Sequence, residues 1–307
     1  MTKHSIAAFC ALTLAAFGFA SSSLAADPSS PVSSVSQDDG KDVKETKDVK
    51  EQVKESCITG DIGVTVLNEY ISRGLVQVDQ GVVVQPYLDL YFKLYEGTGF
   101  INKVVLNVGL WSSVHSHVEP PGNQSTVRNW YEFDYTPGVA VTFAKNFTFT
   151  ASYFEFDSPG QSFNTARSLN FNLAYDDTDL LGKFALHPHF TYLREITAPG
   201  AAGLGYPPNG NYYEIGLAPS YTAGPVTFTV PLTVGLGSEG FYLGSTYGYF
   251  SAGLQASIPI SFIPDCYGKW TFSGGYTWYN LGSSATDVTA SGRRSQNVFQ
   301  GSVGLTF

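Results

Sequence analysis

Eight charged side chains, two pairs of histidines and two cysteines are the residues of this chain with chemistry to offer. Glu69, Arg73, Asp89, Lys93, Glu132, Asp134, Asp176 and Glu214 stand in stretches that are otherwise apolar at every second position. Glu69 and Arg73 are four residues apart, as are Asp89 and Lys93, a spacing that puts both members of a pair on one face of a β-strand. Six acids against two bases on one shared surface would favour cations near it. The two pairs read either as a charged constriction that clamps a solute or as a salt-bridge ladder that keeps strands in register. His115 and His117 share a face, and so do His187 and His189. Alternate histidines can ligate metal, but each pair offers two ligands and the pairs lie far apart, so no metal and no cofactor are expected. Nucleophilic catalysis would need a Ser–His pair, and the chain has no G-x-S-x-G elbow. An outer-membrane hydrolase is therefore the least favoured reading, and no catalytic residue is assigned.

The elements that would position these groups are strands. From Gly60 onward the sequence alternates with a period of two. In Val82–Tyr95, Val82, Val84, Pro86, Leu88, Leu90, Phe92 and Leu94 take one parity, and Val83, Gln85, Tyr87, Asp89, Tyr91, Lys93 and Tyr95 take the other. A strand sends these sets to opposite faces, whereas a helix would mix them. Twelve such runs begin near Gly60, Gly81, Lys103, Asn129, Asn146, Arg167, Lys183, Asn211, Pro225, Thr246, Lys269 and Gln296. Most are about 10–15 residues long, more than the 5–6 typical of a soluble sheet and enough for a tilted strand to cross a bilayer, which takes ~9–11. Long polar connections alternate with shorter ones. The fold class predicted is all-β: a transmembrane antiparallel up-and-down β-barrel of about twelve strands. Its charged residues would point inward, because Arg or Lys facing lipid at mid-depth costs about 2–4 kcal/mol. Tyr70, Tyr95, Trp130, Tyr131, Tyr192, Tyr221, Tyr247, Trp270, Trp278 and Tyr279 lie near strand ends and are expected in the interfacial girdles.

Composition agrees. The 307 residues are 15% aromatic and only 14% charged, with a formal net charge of −9, against about 25% charged in an ordinary soluble domain. No basic footprint for nucleic acid exists, and no apolar run beyond the first 25 residues reaches the ~20 a membrane helix needs. Residues 1–25 have the pattern of a secretory signal peptide, with Lys3, an apolar run from Ile6 to Ala20 and a small-x-small site at Ser23–Ala25. Residues 26–56 read as a periplasmic linker whose Lys41–Glu55 segment forms a short charged helix, supported by i, i+4 pairs and free to contact the cell wall. Residues 57–307 would be the barrel. Export leaves Cys57 and Cys266 in an oxidising compartment. Both fall on the periplasmic side in this topology, and a disulfide across the barrel seam is expected.

The segments NEYISRGLVQ, VVVQPYLDLYFKL and VGLWSSV resemble the TorF-type porin family of Gram-negative bacteria, through Tyr70, Arg73, Gly74, Gln77, Gln85, Gly109, Trp111 and Ser113. The likeness spans about 55 residues, and the terminal SVGLTF more loosely. It implies an outer-membrane barrel with an assumed pore role, no catalytic residues and no agreed substrate. The Lys41–Glu55 spacer is not expected of that family. The function expected is passive diffusion of small solutes with mild cation preference. The alternative is a structural or adhesive barrel whose lumen is blocked by Tyr87, Tyr91, Trp111 and paired charges. Expected partners are outer-membrane lipid and lipopolysaccharide, and the barrel-assembly machinery through the Phe307 strand.

Overall fold

A computed structural model describes residues 56–117, 126–197, 210–238, 240–287 and 292–307. The expected signal peptide and nearly all of the linker, including its charged helix, lie outside the described residues. Alternation becomes strand throughout. β1 (Ile58–Leu67), β4 (Val83–Glu96), β5 (Ile101–His115), β6 (Trp130–Phe143), β7 (Phe147–Asp157), β8 (Ala166–Tyr175) and β9 (His189–Thr197) are the first seven staves of a barrel. The eighth stave is β10 (Asn211–Leu217) with β11 (Ser220–Ala223), and the ninth is β12 (Val226–Thr229) with β13 (Leu232–Ser238). β14 (Tyr247–Pro259), β15 (Lys269–Leu281) and β16 (Ser295–Thr306) complete twelve. Neighbours pair antiparallel, and β1 pairs with both β4 and β16, so the sheet closes on itself. Closure removes the free edges that a bilayer would not tolerate.

The two faces sort as the periodicity requires. Ile62, Val64, Val66, Leu173, Ile215, Leu254, Phe272 and Phe299 are exposed on the outside, while Thr65, Gln85, Asn170, Asn172, Thr191 and Ser257 are buried inside. The outside is thus an apolar belt suited to acyl chains. Aromatic rings continue it. Phe149, Phe171, Tyr192 and Tyr213 stack across four consecutive staves, and Phe100, Phe143, Phe147 and Tyr175 stack near the end that carries Ser56 and Phe307. The β6–β7 turn is a two-residue connection with Ala144 and Lys145 both at positive φ, the mirror-image turn that matches strand twist. Asn102 Oδ1 accepts the Lys145 N–H at 2.6 Å and steadies it.

Three departures from the sequence reading matter. First, the seventh run does not begin at Lys183. Residues Thr178–Leu181 and Gly182–Phe184 are helical turns, and β9 starts only at His189. Pro188 has no N–H for the ladder, and Asp177 draws the chain into a strap by accepting from the Leu186 and His187 N–H groups. Second, staves eight and nine are broken near Pro219 and Pro231. β11 pairs only with β12, leaving its other edge off the ladder among the described residues. Third, stave one ends at Leu67. Tyr70–Ser72 (β2) and Leu75–Val78 (β3) form a separate hairpin that pairs with no stave.

Candidate functional site

The separate hairpin fills the mouth of the barrel at the end away from Ser56 and Phe307. Its turn is Arg73–Gly74, both at positive φ, which Gly74 adopts without steric cost. The hairpin folds inward because its side chains are mostly apolar: Tyr70, Ile71, Val76 and Val78 are buried in one cluster with Leu193, Tyr212, Tyr249, Tyr279 and Val298 of the surrounding wall. Loops from the same end complete the seal. Phe241 and Tyr242 turn in from the connection before β14 and Ala285 from that after β15, while Phe163 packs on Phe154 and Phe156.

Polar contacts hold the hairpin at both margins. The Tyr70 hydroxyl donates to Glu132 Oε2 at 2.9 Å, and the Tyr131 hydroxyl to Gln77 Oε1 at 2.7 Å. Tyr131 reaches inward because a bulge opposite Ser113–Val114 displaces it from strict alternation. At the tip, the Tyr242 hydroxyl donates to the Arg73 carbonyl at 2.6 Å. The Arg73 guanidinium stands 5.1 Å from the centre of the Phe156 ring, and its charge bears on Glu132, Asp134 and Glu195. At the base, Arg293 approaches Asp79 at 3.6 Å and Glu69 at 4.0 Å. Burial raises the Glu69 carboxyl above its ordinary range, and the Arg293 charge offsets part of that rise.

Beyond the hairpin, toward the end that carries Ser56 and Phe307, the lumen turns polar. Asn107, Thr150, Asn172, Thr229, Gln255 and Ser257 line it, and four of their atoms (Asn107 Oδ1, Thr150 Oγ1, Thr229 Oγ1, Gln255 Oε1) are buried with no protein partner. A buried polar atom left unbonded costs about 1–3 kcal/mol, so these atoms, spread over four staves, mark the lumen as a polar-lined space rather than a packed apolar core.

The eight charged residues singled out in the sequence separate into four groups. Asp89, Glu132, Asp134 and Glu214 stand on the inner wall. Lys93 pairs with Glu96 at 2.7 Å rather than with Asp89. Glu69 and Arg73 belong to the hairpin and its base, not to stave one, and neither they nor Asp89 and Lys93 form an ion-pair ladder along a strand. Asp176 lies past the end of β8, on the strap. Glu214 accepts from the Tyr212 and Tyr249 hydroxyls, with His189 at 3.7 Å. His187 is on the strap, so the second histidine pair is divided. His115 is buried, bonded to Ser113 and stacked on Tyr131. This Ser–His contact escaped the sequence reading, and it lies sealed inside the mouth. Of the aromatics expected in the girdles, Tyr70 and Tyr279 are instead buried in the lumen, and Tyr131 is half-buried against the same cluster. Cys57 and Cys266 are exposed thiols and form no disulfide. The Cys57 carbonyl accepts the Lys93 N–H at 2.8 Å, which pins it on the β4 side. Cys266 precedes β15, two interstrand spacings away (about 10 Å), beyond the ~7 Å a disulfide allows.

No protein-family model and no curated protein matches the chain. Among solved structures it is similar to the porin NanC, with a TM-score of 0.43 and 10% identity over 80% of this chain and 98% of that one. It is also similar to the translocator domain of the autotransporter NalP from Neisseria meningitidis, with a TM-score of 0.37 and 12% identity over 83% of this chain and 90% of that one. The transport unit of the autotransporter AIDA-I from Escherichia coli gives 0.38 and 10% over 85% and 92%.

Proposed function

We propose that the protein is an outer-membrane channel for small hydrophilic solutes, described here with its mouth shut by the Tyr70–Val78 hairpin. The observation that carries this reading is the contrast along the axis: a polar-lined lumen ends at an apolar seal made by an element that shares no backbone ladder with the wall. Such a seal can withdraw without breaking the barrel. The chain termini face the periplasm in this reading, and lipopolysaccharide surrounds the mouth. The strand ending at Phe307 is the signal offered to the assembly machinery. The resemblance to TorF-type porins fits the same assignment.

Cation preference follows from the lumen charges. Asp61, Asp89, Glu132, Asp134 and Glu214 face inward, against Arg73 and Lys93. The field of their ionised forms attracts cations. The test is conductance of the purified mature chain in planar bilayers, beside a variant in which residues 70–78 are replaced by a short glycine-serine link. The variant should conduct more and select cations. The shut mouth favours one rival, a structural barrel that passes nothing. If the hairpin-less variant is folded yet carries no current, the rival stands and the channel is refuted.

A further inference from the structure

The strap between β8 and β9 gathers a second cluster, apart from the lumen. Asp176 and Asp177 leave the end of β8, and His187 returns just before β9. The backbone of His187 has φ +47°, and its ring sits between the two carboxylates: Nδ1 is 3.8 Å from Asp176 Oδ1 and 3.8 Å from Asp177 Oδ1. Neither distance is a hydrogen bond, and Nδ1 is buried with no bonding partner. One donor atom from each residue lies within 4.8 Å of the other two.

The rest of the strap organises these donors. Asp177 accepts the Leu186 N–H and the His187 N–H at 2.9–3.0 Å, fixing its carboxylate plane. Asp176 Oδ1 accepts the Thr178 N–H at 3.0 Å, and the Asp176 carbonyl accepts from Asn146 at 2.7 Å. Such outer bonds orient ligating groups. Lys183, the only basic residue of the strap besides His187, stands over the Phe184 ring at 5.3 Å.

We propose that Asp176, Asp177 and His187 form a zinc site that clips the two ends of the strap together. Zinc takes imidazole nitrogen and carboxylate oxygen at about 2.0–2.2 Å. Three such bonds hold the donors about 3–3.5 Å apart, so His187 Nδ1 need close on each carboxylate oxygen by only about half an ångström from its 3.8 Å, and the two carboxylates, whose ligand atoms lie within 4.8 Å, by up to about 1–2 Å. One imidazole with two carboxylates suits zinc better than the all-oxygen shells of magnesium or calcium. The location gives the clip a purpose. β11 leaves the ladder beside the strap, where Pro188, Pro219 and Pro231 withhold donors from three neighbouring staves, and the Ala218 N–H bonds the Leu186 carbonyl at 2.8 Å. The strap is what covers that open edge. Its Leu180 and Phe184 side chains are 72% and 68% exposed. An ion that joins Asp176 and Asp177 to His187 locks the cover.

The experiment uses the folded mature chain in detergent, carrying Cys57→Ser and Cys266→Ser so that the exposed thiols bind nothing, and stripped with chelator. Zinc is titrated by calorimetry, cobalt is followed by its visible absorption, and the unfolding midpoint is read with and without zinc. The expected result is one zinc per chain, cobalt bands of a site containing nitrogen, and a midpoint that rises with zinc concentration. His187→Gln and Asp176→Asn should each weaken binding by about 10–100-fold and abolish the rise, while both variants keep the heat-modifiable mobility of a folded barrel. Absence of saturable binding, or equal binding by parent and His187→Gln, would overturn the site.

Discussion

Gly74 is the residue on which the seal can be tested most sharply. It sits at φ +76°, and a Cβ there would come within 2.4 Å of the Tyr249 ring. Gly74→Val therefore introduces two conflicts in the seated hairpin and none in the barrel wall. Holding a non-glycine residue in the left-handed region costs roughly 1–2 kcal/mol, and forcing extra methyl groups against a packed ring adds about 1–3 kcal/mol. The seated state should lose about 2–5 kcal/mol against a withdrawn one. At tenfold per ~1.4 kcal/mol, the ratio of open to shut rises about 30-fold to several thousand-fold. Single-channel recording of the full mature chain measures this directly, as a larger open fraction at unchanged unit conductance. Heat-modifiable gel mobility reports that the barrel itself is intact. A folded Gly74→Val protein whose open fraction equals that of its parent would refute the claim that this hairpin is the gate.

Other consequences can be measured alongside. Arg73→Ala removes the base that faces Glu132, Asp134 and Glu195 in the seated hairpin, so the open fraction of the channel should rise; an unchanged or smaller open fraction would contradict the placement of that side chain. Glu69 has its carboxyl raised in the seated hairpin relative to a withdrawn, solvated one, so the seated state binds the proton more tightly. Lowering pH through that raised value toward the ordinary 4.5 should then favour closure, and Glu69→Gln should flatten the dependence of open fraction on pH. Cys57 and Cys266, both exposed free thiols, should react with maleimide in the folded protein without reductant; protection of both until reduction would show a disulfide and contradict this. Val64→Arg, on the lipid face of β1, should destabilise the folded barrel by about 2–4 kcal/mol in a urea titration in lipid vesicles, whereas a neutral result would place Val64 away from the bilayer.

Much of the wall was legible in the chain itself. A period of two is a local property, enforced residue by residue once one face meets lipid and the other water. Eleven of the twelve runs accordingly begin within about two residues of their staves, and Glu132, Asp134 and Glu214 fall on the inner face by parity alone. Parity carries no information about where a strand stops pairing. Tyr70 to Val78 alternates well enough to read as more of stave one and its outer loop, yet Leu67 is the last residue of that stave to pair with both β4 and β16. What sends the next residues inward is a match of apolar surfaces from staves that are distant in sequence, Leu193, Tyr212, Tyr249 and Tyr279, and only closure of the barrel brings these together. The strap followed the same rule. Phe184 and Leu186 keep the strand period, but Pro188 and the Asp177 carboxylate decide against the ladder, and the meeting of Asp176, Asp177 and His187 depends on a backbone reversal that no periodicity encodes. Local alternation thus specified which way side chains point along a wall, and long-range packing alone determined what fills the space that the wall encloses.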